Sequence, residues 1–172
     1  MERRPKKLAM RNVCTNMEND PEQIIKTYSD MVYRLAFART GTKEDADEVY
    51  QEVFLRLLKK RPAFESQEHC KAWLLRVTVN CSNTLLSALW KKRTVALEED
   101  LPFQEKDSLE LYKELSQLPQ KYRDVIHLFY YEELSVADIA KILHRKESTV
   151  RTQMTRARTM LKEILEEEEY EF

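Results

Sequence analysis

Between Lys141 and Lys162 the chain carries seven bases (Lys141, Arg145, Lys146, Arg151, Arg156, Arg158, Lys162) and one acid, Glu147. Small hydroxyl residues are interleaved with them. Arginine forks match guanine edges and phosphates, serine and threonine approach bases or the thymine methyl group, and surrounding bases add a salt-sensitive attraction indifferent to sequence. At about 100° per residue, Val150, Met154, Ala157, Leu161 and Leu165 share one helical face, and Ser148, Arg151, Thr152, Thr155, Arg158 and Lys162 fall on the other. Candidate contacts to duplex DNA are therefore Arg145, Lys146, Ser148, Thr149, Arg151, Thr152, Thr155, Arg156 and Arg158. A solvated basic face on an ordinary helical hairpin would look similar in charge alone. The order short helix, tight turn, basic helix favours DNA.

Two further segments hold contrasting chemistry. No Asp or Glu occurs from His69 to Leu97. Within it Arg76, Asn80, Asn83, Thr84 and Ser87 form one polar strip on an otherwise apolar helix, with Trp73 and Lys91 nearby and Lys71, Lys92 and Arg93 at the ends. Such a strip hydrogen-bonds bases and phosphates without acidic repulsion; Trp73 fits the core better than a stacking platform. Residues 44–52 are the reverse, with five acids and no base. Glu44, Glu48, Gln51, Glu52 and Leu55 lie together away from that helix's apolar stripe. Leu55 fits either an apolar anchor inside a charged rim or an isolated exposed leucine.

Enzyme chemistry finds no footing. The three histidines (His69, His127, His144) are not spaced with a carboxylate pair, and neither a glycine-rich phosphate loop nor an HExxH motif is present. Cys14, Cys70 and Cys81 are odd in number and lack CxxC spacing. They read as reduced, buried thiols rather than metal ligands shared with His69. No cofactor or metal is expected.

The elements that must position these residues are helices. A single glycine, Gly41, and five prolines in 172 residues argue against parallel-sheet nucleotide folds and β-barrels. The abundance of Leu, Glu, Lys and Arg argues for an all-α chain. Periodicity predicts a helix from about Pro21 to Arg39, capped at Gly41, and a second from Thr42 to about Lys60, opened by Thr42 and Asp45 and ended by Pro62. A loop from Pro62 to about Gln67 leads to a third helix through Lys92. After an acidic stretch, helices resume near Ser108. Leu111, Leu115 and Leu118 form one stripe, Pro119 starts another helix, and shorter helices follow at about 135–143 and 147–166. Ser135 and Asp138 open the first of these. Val136, Ile139, Ala140 and Leu143 form its buried side.

The expected organisation is a basic disordered N-terminus (1–17), two small helical domains (18–93 and 108–166), a flexible acidic linker (94–107) and an acidic tail (167–172). Charge is segregated: the last ten residues hold six glutamates, and the remainder carries 29 bases against 24 acids. The basic N-terminus lacks the apolar stretch of a secretory signal, and no run approaches a membrane span, so a cytoplasmic chain without membrane insertion is expected.

Asp45-Ala-Asp-Glu-Val-Tyr-Gln-Glu-Val-Phe-Leu-Arg56, Lys71-Ala-Trp-Leu-Leu-Arg-Val-Thr-Val-Asn80, Leu118-Pro119, Leu134-Ser-Val-Ala-Asp-Ile-Ala140, Ser148-Thr-Val-Arg151 and Arg156-Ala-Arg158 together resemble the sigma-70 family of RNA polymerase specificity subunits, and most of all its small extracytoplasmic-function (ECF) group. The resemblance covers about residues 20–165. It implies a region 2 helical bundle at 18–93 and a region 4 helix-turn-helix at 108–166. It implies that Asp47, Glu48, Gln51, Glu52, Phe54 and Leu55 dock on the β′ clamp helices of core polymerase, and that the β flap is a further contact. Phe64, Lys71, Arg76, Asn80, Asn83, Thr84, Lys91, Lys92 and Arg93 would meet the −10 element as an opened strand, and the helix at 147–159 would read the −35 element. An anti-sigma factor is an implied partner.

Two departures stand out: His144 replaces the glycine usual at the helix-turn-helix turn, and the acidic tail is not part of the general pattern. The competing reading is a helix-turn-helix regulator that does not bind core polymerase. Such a regulator needs neither the acidic 44–52 face nor the acid-free 69–97 segment.

Overall fold

The computed structural model describes residues 19–92 and 112–169, apart from the side chains of residues 91, 92, 112 and 167–169. Every regular element among them is helical. α1 spans Pro21–Thr40, α2 Lys43–Lys60, α3 Gln67–Lys92, α4 Tyr112–Gln117, α5 Gln120–Ile126, α6 Val136–Leu143 and α7 Glu147–Glu169. The basic N-terminus, the linker, Leu111 and the last three residues lie outside the described residues.

Local chemistry sets the helix ends. Pro21 opens α1, where its missing N–H costs nothing. Gly41, at φ 80°, closes it by donating its N–H to the Phe37 carbonyl (2.8 Å). The Thr42 hydroxyl accepts from the Asp45 N–H at 3.2 Å and starts α2. Glu44 and Asp45 in the first turn, and Lys59 and Lys60 in the last, complement the helix dipole. α2 stops at Arg61, in the left-handed region at φ 42°, one residue before Pro62. The Ser135 hydroxyl accepts from the Asp138 N–H (3.1 Å) and donates to its carboxylate (2.6 Å), opening α6.

α6 ends on His144 at φ 52°. The glycine-like turn forms with histidine in it, and the Arg145 N–H bonds the Ala140 carbonyl at 2.9 Å. α5 runs without a break into a π-helical turn, His127–Tyr131, that no sequence signal announced. The Glu132 N–H reaches back five residues to the His127 carbonyl (3.3 Å).

Helices α1, α2 and α3 pack together around Val32, Leu35, Val49, Val53, Leu57, Leu74 and Leu75, all nearly inaccessible. Helices α5, α6 and α7 pack around Val125, Leu128, Ile139, Ile142, Val150 and Ala157. Ile142 joins the α6 core, while Val136 and Leu143 are only half-buried. Truncating any of the fully buried leucines would cost roughly 2–5 kcal/mol. Cys70 and Cys81 are buried free thiols, and burial pushes the Cys70 thiol up to about 11. The two bundles also touch: α3 packs against α6, and α1 against α5.

Candidate nucleic-acid interface and protein-docking face

α7 buries Val150, Met154 and Ala157 and leaves Ser148, Thr149, Arg151, Thr152, Thr155, Arg156 and Arg158 exposed. The Thr152 and Thr155 hydroxyls donate to the Ser148 and Arg151 carbonyls (3.0 and 3.1 Å), which fixes their rotamers. Arg151 pairs with Glu147 at 3.0 Å, an exposed contact that costs little to exchange for a phosphate or a base. Lys146 is exposed at the turn.

Arg158 is less free. Its Nε donates to the Tyr130 hydroxyl (3.0 Å), and its guanidinium lies 5.7 Å from the Phe129 and Tyr130 ring centres. Arg145 is half-buried and turned inward. It donates to Gln153 Oε1 (2.9 Å) and the Lys121 carbonyl (3.3 Å), and sits 3.7 Å from Asp124. Its first role is to brace the turn.

Beside this face lies a polar recess of about 260 Å³ lined by Lys121, Tyr122, Ser148, Thr149, Thr152, Gln153 and Arg156. Lys121, Tyr122 and Gln153 were not foreseen. Tyr122 reads as a core position by periodicity, and its ring is buried. Its hydroxyl nonetheless meets Arg156 and Lys121, which hold its pKa below the ordinary phenol value, Arg156 chiefly by hydrogen bonding. Lys121, adjacent to it in sequence, was the available signal.

On α3, Arg76, Asn80, Thr84 and Ser87 form an exposed strip. Asn83 is exposed but its Oδ1 accepts from Arg39 at 2.6 Å. Lys71 is half-buried, with Nζ donating to the Glu132 carbonyl (2.7 Å) and 3.7 Å from the Glu132 carboxylate. Phe64 corrects the expectation of an exposed stacking side chain, being only 8% exposed. Asn19 clamps its backbone from both sides (2.9 and 3.4 Å), turning the ring inward, where its centre lies 5.7 Å from that of half-buried Trp73. The side chains of Lys91 and Lys92, and all of Arg93, lie outside the described residues.

α2 presents Glu44, Glu48, Gln51 and Leu55 outward, with Asp47 and Glu52 half-buried. Leu55 is 46% exposed, and Leu58, one turn on, is similarly open. Phe54 is buried, its ring edge against Tyr50 at 4.8 Å, so it shapes this face from beneath and does not itself offer a contact. A groove of about 370 Å³ runs between α2 and α3, with Glu48, Gln51, Glu52 and Leu55 on one wall and Leu85 and Ala88 on the other. A second, strongly apolar groove of about 450 Å³ lies where α7 leaves its bundle, between Leu115, Ile126, Tyr130, Tyr131, Leu161 and Leu165. Leu165, expected on the buried stripe, is its open edge.

Comparison with known proteins is consistent with this division. Residues 24–92 match the model of sigma-70 region 2, and residues 108–161 that of sigma-70 region 4. The chain is 28% identical to the ECF RNA polymerase sigma factor SigW of Bacillus subtilis, over 83% of this chain and 87% of that protein. It is 29% identical to RNA polymerase sigma factor SigV of the same organism, over 80% and 86%. Its fold is similar to that of the sigma factor RpoE in a co-crystal with the anti-sigma factor NepR from Bartonella quintana. That likeness has a TM-score of 0.75 and 22% identity, over 84% of this chain and 96% of that one. No helix among the described residues is long and apolar enough to cross a membrane.

Proposed function

The chain belongs to the sigma-70 family, as a member of the ECF type, and from that we propose that it is the promoter-specificity subunit of a bacterial RNA polymerase. It binds core polymerase, reads a −35 element as duplex through α7, and captures a −10 element as an opened strand along α3. The observation that carries this reading is the coexistence of two outward chemistries on one chain. The α2 face is acidic with Leu55 open in its centre, while α7 and the α3 strip are cationic or neutral-polar.

Nucleotide chemistry belongs to core polymerase; this chain supplies recognition. On α7, exposed Arg151 and Thr152 face the duplex, and Lys146 and Arg156 hold flanking phosphates. On α3, Arg76, Asn80 and Thr84 meet the opened strand without acidic repulsion. On α2, Leu55 is the apolar anchor for the β′ clamp helices, with Glu48, Gln51 and Glu52 as its polar rim. The apolar groove at the end of α7, edged by Arg158 and Lys162, is open to the β flap. An anti-sigma factor would act by covering one or both protein-docking faces, and the chain would work in the cytoplasm.

Run-off transcription with purified core polymerase tests the reading. A promoter-specific transcript is expected only when the protein is added. If core polymerase initiates identically with and without it, while the protein still binds duplex DNA, it is a regulator and not a specificity subunit.

A further inference from the structure

Three side chains assigned to DNA are already engaged, and all three meet carboxylate-bearing residues or their partners where the two bundles touch. Arg39 of α1 forms a buried ion pair with Asp124 of α5 at 2.5 Å, both side chains under 5% exposed. Arg39 also donates to Asn83 of α3, and Asp124 lies 3.7 Å from Arg145. A second carboxylate, Glu132, is 3% exposed and faces Lys71 (3.7 Å), Arg34 (3.8 Å) and His127 (3.5 Å). Asp124 and Glu132 thus sit among Arg34, Arg39, Lys71 and Arg145, cations from both bundles. That is the environment a phosphate would otherwise occupy.

Two features make this seam openable. Charges taken out of water lose hydration that their pairing recovers only with good geometry and full hydrogen bonding. Here Arg39 Nε and Nη1, Glu132 Oε1 and His127 Nε2 are buried without hydrogen-bond partners. The second feature is scale. Elements centred about 25 base pairs apart are separated by roughly 85 Å of duplex at about 3.4 Å per base pair. α3, the longest helix at 26 residues, is only about 39 Å long. The bundles must separate for α3 and α7 to reach both elements.

We propose that this ionic seam is an autoinhibitory latch, in which Asp124 and Glu132 act as internal phosphate mimics. They hold the bundles together and keep Lys71, Asn83 and Arg145 from DNA until binding opens the molecule. The inference rests on the promoter-binding reading for the role of those three side chains. Because only the open fraction of the protein binds, the latch lowers the apparent DNA affinity of the free chain by that fraction.

Fluorophores at Lys26→Cys on α1 and Lys141→Cys on α6, in a full-length Cys14→Ser background, read the distance between bundles. The Asp124→Asn/Glu132→Gln protein should show a longer distance than wild type and bind promoter DNA about fivefold or more tightly. Arg39→Asp alone should also open the molecule, and adding Asp124→Arg should close it again. An unchanged distance in the carboxylate variant overturns the latch. A longer distance with unchanged DNA affinity overturns its inhibitory role. Failure of every form to bind promoter DNA overturns the reading on which the inference rests, which the distance measurement alone would not do. If the carboxylate variant loses its helical circular dichroism, wild type decides: a longer distance on DNA than free supports the latch, and equal distances overturn it.

Discussion

α2 and α7 are built alike and turned to opposite uses. Each buries a stripe of apolar side chains and sends charge outward, and each holds an i, i+4 ion pair on its surface (Glu52 with Arg56, Glu147 with Arg151). Around those pairs the balance differs. α2 offers carboxylates with an exposed leucine among them, whereas α7 offers arginines and hydroxyls. The first surface can hold a partner through desolvation of an apolar anchor, which salt affects little. The second works through phosphate charge and base edges, which salt weakens strongly. Helix architecture therefore says little about the partner; the outward residues say nearly all of it.

The largest effect expected to separate the two faces is at Leu55. Leu55→Asp should weaken core polymerase binding by about 2–4 kcal/mol, as for a buried interface anchor, and leave duplex binding by α7 unchanged. Equal core affinity in a pull-down would remove α2 from the interface. Next comes Arg151→Ala, expected to cost ~1–3 kcal/mol of discrimination at one base pair of the −35 element. Competition binding with single-base variants of that element measures it, and a loss uniform over all sequences would make Arg151 a phosphate contact.

Lys146→Ala should weaken duplex binding evenly across sequences and reduce the slope of log affinity against log salt by about 1. Core binding should be far less steep in the same titration; matching slopes would erase the contrast between the faces. The smallest effect concerns the turn that aims α7. His144→Gly relieves the left-handed strain at φ 52° and should stabilise the chain by a few tenths to ~1 kcal/mol. Denaturant unfolding reads this, and core affinity should not move.

The all-helical fold and most helix ends were legible because their causes are local. Thr42, Gly41, Ser135 and Pro119 act within one turn of themselves. The exposed DNA face of α7 was legible for the same reason, since 100° periodicity separates Arg151 from Val150 without tertiary information. What was not legible depends on contacts distant in sequence. Phe64 turns inward because Asn19, 45 residues earlier, clamps its backbone. Lys71 and Asn83 are spoken for by Glu132 and Arg39, and Arg145 faces Asp124 and Gln153 instead of solvent. The π-helical turn at His127–Tyr131 has no composition signal, yet it carries His127 and leads into Glu132 at the seam. Phe54 lay on the apolar stripe of α2, and its burial beneath the docking face follows that periodicity.

Permanganate and hydroxyl-radical footprinting of a promoter with core polymerase, with and without this protein, tests the two-site reading most directly. Protection of an upstream duplex element together with permanganate-reactive thymines in a separate downstream element, both dependent on the protein, is the predicted result. Protection of a single duplex site with no opened thymines would contradict it.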